Sequence, residues 1–395
     1  MASRGAVCKR DSVRKVGWIA VSALAVVAAV AVALVSWPSG GRDDAGELER
    51  LVDRLVTGEE AIAPGAAAYV SGPEGTWRHA AGVADLRDGR KLKPGDRFRI
   101  ASISKPIAAT VVLQLAAEGK LGLDDTVEEH VPGLLPYGSR ITIRQLLNHT
   151  SGLWDTNDFT PAAIARVGDP ALRAELEALA ARVQDDPTTQ FPSRRWIQLA
   201  AWQPLEFTPG SGYSYSNVGY EVLGEIVERV TGSSFDEEVE RRVVVPLELE
   251  ATSYEPGPIE GPHARLYAAD GVEWIDATDV TVGVGAEGAI VSTPEETARI
   301  FQALLRGELL PTRWLAEMKE PSPVAGAGGL GLAIDSPLGC GGTAYGHGGA
   351  LAGVRTWVFV SSDGEQVATL FLNGRGPDTD RRGIPTVNDL YCATE

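Results

Sequence analysis

The spacing of hydrophobic residues after position 43 predicts a helix followed by a pair of strands. Residues 48–56 carry leucine and valine at intervals of three and four, which places them on one face of an amphipathic helix. Two runs of apolar and small residues follow at 65–71 and 76–84, separated by Gly-Pro-Glu-Gly at 72–75. Turn-forming residues between two such runs are typical of a β-hairpin with a four-residue turn.

The next hydrophobic segment predicts a short strand that leads directly into a buried helix. Residues 98–100 have extended character, and residues 104–118 are rich in Ala, Val and Leu. Pro106 limits where this helix begins, because proline lacks an N–H and its ring clashes with the preceding turn. It is tolerated in the first helical turn, so the helix is predicted to start near 102–103.

The middle of the chain is typical of helices. A short helix is predicted at 142–148, and Ala-rich helices broken by prolines are predicted across 161–203, without obvious strands. A longer helix follows Asn217 and ends at Gly232, since glycine commonly follows the last helical residue. The sequence Thr-Pro-Glu-Glu at 293–296 is a capping box that opens a further helix.

The last part of the chain returns to strands. Residues 354–360 and 366–372 are β-branched and aromatic runs joined by a turn, and a short terminal helix is predicted near 386–392. Strands at both ends with helices between them predict an α/β (α+β) fold, in which a central sheet is formed from both chain termini and flanked by helices. We expect one domain over 43–395, with an all-helical inserted region at about 120–285.

The first 42 residues differ in character from the rest. The stretch 16–37 carries no charge and is long enough to cross a hydrocarbon layer of about 30 Å. Basic residues precede it and acidic residues follow it, so the positive-inside bias places the rest of the chain outside the cytoplasm. Two interpretations stay open, a retained membrane anchor and a cleaved signal peptide.

Net charge and the numbers of cysteine and histidine residues limit the partners, disulfides and metal sites that can be expected. The 395 residues carry a net charge of −17, which argues against a nucleic-acid partner. Cys340 and Cys392 are predicted to form a disulfide in an oxidising compartment, the alternative being two buried free thiols. The five histidines are scattered and none lies in His-Glu-x-x-His, so no metal or other cofactor is predicted.

A candidate nucleophile lies where the short strand meets the buried helix. Ser102 and Lys105 form a Ser-x-x-Lys motif and share one helix face. The motif alone is weak, because Ser12 and Lys15 have the same spacing in the basic N-terminal flank. At Ser102, however, the helix start provides free N–H groups and a positive dipole. Burial and these dipoles are expected to lower the pKa of Lys105 toward neutrality, so that it can accept the serine proton.

Two further motifs have matching chemistry. Tyr215 and Asn217 lie in a Tyr-x-Asn sequence at the end of a loop, where a phenol can relay a proton and an amide can bind a substrate amide. His347 and Gly349 lie in Gly-His-Gly-Gly at the start of the C-terminal strands, where glycine permits close backbone approach and a substrate can pair along a strand edge.

The order Ser-x-x-Lys, Tyr-x-Asn and then a basic residue-x-Gly resembles the serine β-lactamase and D-alanyl-D-alanine carboxypeptidase superfamily, nearest its class C-like branch. The segments 146–153, 207–210 and 288–293 resemble the same family, and the similarity spans roughly 48–392. The resemblance implies a β-lactamase/transpeptidase-like fold with a central antiparallel sheet. A fold with the α/β-hydrolase nucleophile elbow is disfavoured, because Gly-x-Ser-x-Gly is absent from the sequence.

The resemblance also implies a role for each motif residue. Ser102 would be the acylated nucleophile, Lys105 its proton partner and Tyr215 the general base or relay. The expected substrate contacts are Asn217, His347 and Gly349, and the expected oxyanion hole consists of the N–H groups of Ser102 and Ala350.

One departure affects the expected substrate. Many members of this superfamily have Lys-Thr-Gly where this chain has His347-Gly348-Gly349, and a neutral histidine binds a free carboxylate less well than lysine does. The expected activity is that of a D-alanyl-D-alanine carboxypeptidase or related peptidase on small peptides, including cell-wall peptides. The alternatives are a β-lactamase, an esterase or D-aminopeptidase of the same fold, and a penicillin or peptidoglycan sensor without turnover.

Overall fold

A computed structural model of the protein describes residues 44–58, 61–155, 160–186, 191–269, 273–279, 284–324, 326, 328–335 and 340–393. The apolar segment 16–37 lies outside these ranges. Within them, no helix combines the length and the apolar character needed to cross a bilayer.

Most strands lie towards the two ends of the described chain, and most helices lie in the middle. The strands are β1 Gly65–Gly72, β2 Gly75–Asp85, β3 Arg90–Lys91, β4 Phe98–Arg99, β5 Ser253–Tyr254, β6 Tyr267–Ala269, β7 Trp274–Asp276, β8 Ile290–Ser292, β9 Ala333–Asp335, β10 Ala344–Leu351, β11 Val354–Ser361, β12 Val367–Leu372 and β13 Gly374–Arg375. The α-helices are α1 Asp44–Asp53, α2 Ser104–Ala117, α3 Val127–His130, α4 Ile143–Leu147, α5 Pro161–Ala165, α6 Pro170–Asp185, α7 Ser193–Ala201, α8 Asn217–Thr231, α9 Phe235–Val239, α10 Pro294–Leu305, α11 Thr312–Lys319 and α12 Thr379–Cys392. Short 3₁₀ turns cover Ala101–Ile103 and Gly138–Arg140, and a π-helical turn covers Glu240–Val244.

The main sheet has seven strands in the order β3-β2-β1-β12-β11-β10-β9, and its neighbouring strands pair antiparallel. Its centre is the pairing of β1 with β12, in which Ala68 lies opposite Leu370. The first three strands of the chain therefore join the last ones in a single sheet. This confirms the predicted fold, in which both ends of the sequence build the sheet.

Each face of the sheet covers its own hydrophobic cluster, because side chains alternate along a strand. On one face, Ala66 and Ala68 of β1 pack with apolar residues of α1 and α12, among them Val52 and Leu390. On the opposite face, Ala67 belongs to the larger cluster that includes α2 and α8. Helix α2 is apolar all round and almost wholly buried, so the start of this helix is held rigidly inside the protein.

The region between the sheet strands differs from prediction in one part. It contains the helices α5, α6 and α7, as expected, but the predicted all-helical insert at about 120–285 is wrong after residue 250, where β5, β6 and β7 occur. These strands have two or three residues each, too few to show an alternating pattern. Two of them have partners that are distant in sequence: β5 pairs with β8, and β6 pairs with β13 as well as with its neighbour β7.

Two helix termini also differ from the sequence-based predictions. The terminal helix starts at Thr379 rather than near residue 386 and contains Pro385, because packing of its apolar side against the sheet compensates for the proline. At α10, Thr293 caps the N–H of Glu296 as predicted. The Glu296 carboxylate, however, accepts hydrogen bonds from the backbone of Glu250 and Ala251 instead of completing a capping box.

A disulfide joins Cys340 to Cys392, with the two Cα atoms 5.5 Å apart. It connects the segment before β10 to the end of α12. The bond therefore attaches the C-terminal helix to the side of the sheet that carries the third sequence motif.

Candidate active site

Ser102 lies in the 3₁₀ turn between β4 and α2, and its side chain is half-buried. The preceding residue, Ala101, has φ of 52°, a left-handed conformation that is costly for a residue with a Cβ. Hydrogen bonds hold this turn in place, since Ile100 donates to the carbonyl of Ile290 and its own carbonyl accepts the Thr356 hydroxyl at 3.0 Å. The surrounding strands thus keep Ser102 at a fixed position at the head of a buried helix.

The Lys105 side chain is fully buried one turn after Ser102. Its Nζ lies 3.2 Å from Ser102 Oγ, 2.8 Å from Asn217 Oδ1 and 3.0 Å from the carbonyl oxygen of Glu287. An ammonium group has three N–H donors, which these acceptors share with the Tyr215 side chain. Lys105 therefore links the first motif to the second through direct hydrogen bonds.

The charge state of Lys105 differs from the sequence-based expectation. Burial acts to lower its pKa, but negative charge on Tyr215, Glu287 and Asp155 outweighs burial and raises the pKa above the ordinary value. The expected shift toward neutrality is wrong, because these neighbours come from distant parts of the chain. Lys105 is therefore an ammonium ion at neutral pH.

Tyr215 lies beside this lysine, with Lys105 Nζ 4.9 Å from the centre of its ring. The other side of the tyrosine packs on His149, whose ring centre is 4.3 Å away. His149 Nδ1 accepts a hydrogen bond from the backbone N–H of Ser216 at 3.2 Å. Burial, together with the charges of Lys105 and His347, lowers the pKa of His149 well below its ordinary value, so it is a neutral support for the Tyr215 loop.

Asn217 is the first residue of α8, and Asp155 determines its orientation. The Asp155 carboxylate accepts the Asn217 backbone N–H at 2.6 Å and its side-chain Nδ2 at 3.2 Å. With the amide nitrogen facing Asp155, the amide oxygen is directed at Lys105. Sequence reasoning missed Asp155, although its position two residues after the segment 146–153 was a usable signal.

We expect Asp155→Asn to reduce acylation more than binding. An asparagine can donate its own N–H groups toward Asn217, which favours the flipped amide and removes the acceptor from Lys105. The rate constant for acylation should fall about tenfold to a hundredfold, because the transition state loses one charge-assisted hydrogen bond worth about 1.5–3 kcal/mol. Stopped-flow acylation rates at several substrate concentrations separate the rate constant from the apparent affinity, and an unchanged rate constant would refute this role.

His347 lies on β10, half-buried, with its ring centre 6.4 Å from that of Tyr215. Its Nδ1 donates to the carbonyl of Gly348 at 2.7 Å, which leaves Nε2 as an acceptor. Burial and the positive charge of Lys105 lower the pKa of His347 to about 3. The residue in the third-motif position is therefore neutral over the physiological range.

Gly349 lies where β10 passes closest to the Ser102 turn. A Cβ at this position would be 2.1 Å from the carbonyl oxygen of Ile100 and 2.3 Å from Thr356 Oγ1, so only glycine permits the observed approach. Along β10, β9 pairs only with residues 344–346. Within the described residues, the outer edge of β10 near Ala350 has no paired strand and is free to accept an extended substrate.

The arrangement of the three motifs agrees with a comparison to known protein families. The family model described as Beta-lactamase matches residues 48–393. The chain belongs to the β-lactamase family. Its relatives include two penicillin-binding proteins, an esterase and a protein described as a D-alanyl-D-alanine carboxypeptidase, so the chain is a member of a serine hydrolase family.

Three relatives show the range within the β-lactamase family. The chain is 29% identical to Penicillin-binding protein 4 of Amycolatopsis lactamdurans, over 79% of this chain and 81% of that protein. It is 36% identical to Esterase EstB of Burkholderia gladioli, over 43% of this chain and 42% of the esterase. Its fold matches a D-stereospecific amidohydrolase from Streptomyces sp. with a TM-score of 0.74 and 29% identity, covering 89% of this chain and 99% of that one. The chain spans about half the length of several curated relatives, including the esterase.

The structure brings together Ser102, Lys105, Tyr215, Asn217, His347 and Gly349 of this β-lactamase-family chain. Ala350 follows Gly349 on β10, and the two cysteines lie elsewhere. The structure adds two residues that sequence reasoning missed, Asp155 and Glu287. The Glu287 carboxylate lies 3.7 Å from Lys105 Nζ. Within the part of the chain that the structure describes, no group of His, Cys, Asp and Glu side chains is arranged to hold a metal ion.

Proposed function

We propose that this protein is a serine hydrolase that forms an acyl-enzyme at Ser102. The observation that carries the proposal is the position of Lys105 Nζ, within hydrogen-bond distance of both Ser102 Oγ and Asn217 Oδ1 and next to the Tyr215 ring. Because the ammonium donates to Oγ, the hydroxyl proton of Ser102 is free to leave toward another acceptor. The Tyr215 oxygen is that acceptor in the proposed mechanism.

In the first step, Ser102 Oγ attacks the substrate carbonyl carbon while its proton passes to the phenolate oxygen of Tyr215, which the adjacent Lys105 ammonium stabilises. The carbonyl oxygen becomes an oxyanion, which the N–H groups of Ser102 and Ala350 stabilise. The Lys105–Tyr215 pair then returns the proton to the departing amine or alcohol as the carbon–heteroatom bond breaks. Water attacks the resulting ester by the reverse proton route and releases the acid.

The substrate class follows from the third motif. A neutral His347 offers a hydrogen-bond acceptor rather than a positive charge, so it favours leaving groups without a free carboxylate. We therefore place amides and esters of D-amino acids first and D-alanyl-D-alanine-type peptides second, a reversal of the order that the sequence suggested. The 29% identity to a D-stereospecific amidohydrolase supports this order.

We also propose that the hydrolase acts outside the cytoplasm, attached through or released from the apolar segment 16–37. Support comes from the sequence, in which the positive flank precedes that segment and acidic residues follow it. Substrates in that compartment include cell-wall peptides.

Active-site labelling tests the proposal. A fluorophosphonate should attach to the full-length protein with one label per chain, and Ser102→Ala should abolish labelling. Ser104→Ala is the matched control, because Ser104 is buried and accepts a hydrogen bond from the Ile290 N–H rather than facing the substrate. Label that survives Ser102→Ala in intact-mass spectra would exclude Ser102 as the nucleophile.

Turnover then separates the candidate substrates. A panel of D-amino-acid amides, short esters, D-alanyl-D-alanine peptides and cephalosporins should give the highest kcat/KM for the amides and esters. Faster turnover of the peptides would reverse the proposed order. Acylation without product release from any member would instead identify a sensor.

A further inference from the structure

Two buried carboxyl groups lie beneath Lys105, and the proposed mechanism does not use them. Glu287 is 7% exposed, and its Oε2 lies 3.7 Å from Lys105 Nζ. Glu221 is 3% exposed, and its Oε1 has no hydrogen-bond partner among the described residues. Buried carboxyl groups without full hydrogen bonding are costly and rare unless they have a role.

The fold holds the two carboxyl groups close to each other. Glu221 lies on α8 four residues after Asn217, so both side chains are on the same helix face. A Cβ on Gly285 would be 2.3 Å from Glu221 Oε2, so the carboxyl group packs directly against the 285–288 turn that carries Glu287. Gly285 therefore leaves the space into which the Glu221 carboxyl group fits.

We propose that Glu287 and Glu221 are positioning residues: the Glu287 carboxyl group holds the Lys105 ammonium beside Ser102, and Glu221, packed against the same turn, limits the negative charge that Glu287 places beneath Lys105. Together they would set the pH at which the Lys105–Tyr215 pair can accept the serine proton. The proposal rests on the serine mechanism above. It assigns to Glu287 the negative charge that holds the ammonium, and to Glu221 the limit on how far Glu287 is ionised.

The electrostatics support this division. Burial, followed by the charge of Glu287, raises the pKa of Glu221 to about 8. Burial raises the pKa of Glu287 to about 7, against the opposing charge of Lys105. The titratable groups that face Lys105 and the two carboxyl groups come from every neighbouring element: Tyr215, Tyr220, Tyr254, Asp155, His149 and His347.

The proposal predicts that Gln variants of Glu287 and Glu221 shift the pH dependence of kcat/KM in opposite directions. The acid limb of kcat/KM for acylation reports the loss of one proton from the coupled Lys105–Tyr215 pair. Glu287→Gln removes a nearby negative charge, so the limb should move to lower pH by about one unit. Glu221→Gln lets Glu287 ionise fully, so the limb should move to higher pH. Glu225→Gln, one turn further along α8, is the matched control and should leave the limb in place.

A purely structural role would lower the rate at all pH values without moving the limb in opposite directions. That result, or shifts of the same sign in both variants, would overturn the proposal. If the wild-type protein is not acylated at all, the serine mechanism itself fails, and the second measurement below still tests the state of the carboxyl pair.

Thermal unfolding as a function of pH gives this independent readout. Folded-state pKa values of about 7 and about 8 lie above the ordinary 4.5 of glutamate, so the folded protein holds more protons than the unfolded chain between these values. Their contribution to stability is complete below about pH 4.5 and is lost as the pH rises through about 7–8. Both Gln variants should therefore lose less Tm over this range than wild type or Glu228→Gln, which changes an exposed glutamate on the same helix. An unchanged slope in both variants would overturn the proposed charge state.

Discussion

Lys105→Met should reduce the rate of acylation by about 10³-fold, the size expected when the group that moves a proton is removed. Methionine keeps the length and apolar stem of the side chain but cannot donate to Ser102 Oγ or Asn217 Oδ1. The fold should persist, because Glu287 can take up a proton when the neighbouring cation is absent. Stopped-flow acylation with an activated ester, together with a thermal melt of each protein, measures both quantities.

The matched control is Lys120→Met, which makes the same substitution at an exposed lysine just after α2. Within the described ranges Lys120 pairs with the exposed Glu118, and a surface ion pair of this kind contributes about 0–1 kcal/mol. Its acylation rate should equal that of the wild type. A Lys105→Met protein that melts normally and acylates within tenfold of wild type would exclude Lys105 from proton transfer.

Gly349→Ala should impair both catalysis and stability. The added Cβ would lie 2.1 Å from the Ile100 carbonyl oxygen, so either β10 or the turn that carries Ser102 has to move. Such overpacking costs about 1–3 kcal/mol. A displacement of about 1 Å between nucleophile and oxyanion donors lowers the rate about a hundredfold. Acylation kinetics and a thermal melt check the two effects.

Gly348→Ala is the matched control for this strand. Its added Cβ would meet the end of the Arg355 side chain at 2.9 Å, and that flexible group can shift without moving the backbone. The loss of rate should therefore be much smaller than for Gly349→Ala. Equal losses in the two variants would mean that β10 tolerates no added methyl group anywhere, and that contact with the Ser102 turn is not the cause.

Local signals in the sequence predicted where several helices of this protein begin and end. Pro106 placed the start of the helix that carries Ser102 and Lys105, and the structure has Ser102 in the turn that leads into α2. Gly232 predicted the end of α8, and it adopts the left-handed conformation with φ of 73°. These predictions depend on interactions within a few residues, and such interactions are encoded by the residues themselves.

The short strands β5, β6 and β7 could not be predicted in this way. Each has only two or three residues. β5 pairs with β8, and β6 pairs both with its neighbour β7 and with β13, which begins at Gly374, more than a hundred residues later. The terminal helix begins earlier than predicted for a similar reason, since packing against the sheet stabilises the helical turn that contains Pro385. Sequence patterns record local preference, whereas these elements depend on distant partners.

The sequence by itself determined the order of the motifs, the helix start at the nucleophile and the sheet built from both ends of the chain. Only the tertiary structure decided the charge of the site. Burial of Lys105 is visible in an apolar helix, but the groups that outweigh burial and raise the pKa of Lys105 are Tyr215 first, then Glu287 and Asp155. The sign of a pKa shift is a sum over all charges near the group, and in a folded chain those charges are neighbours in space that lie far apart in sequence.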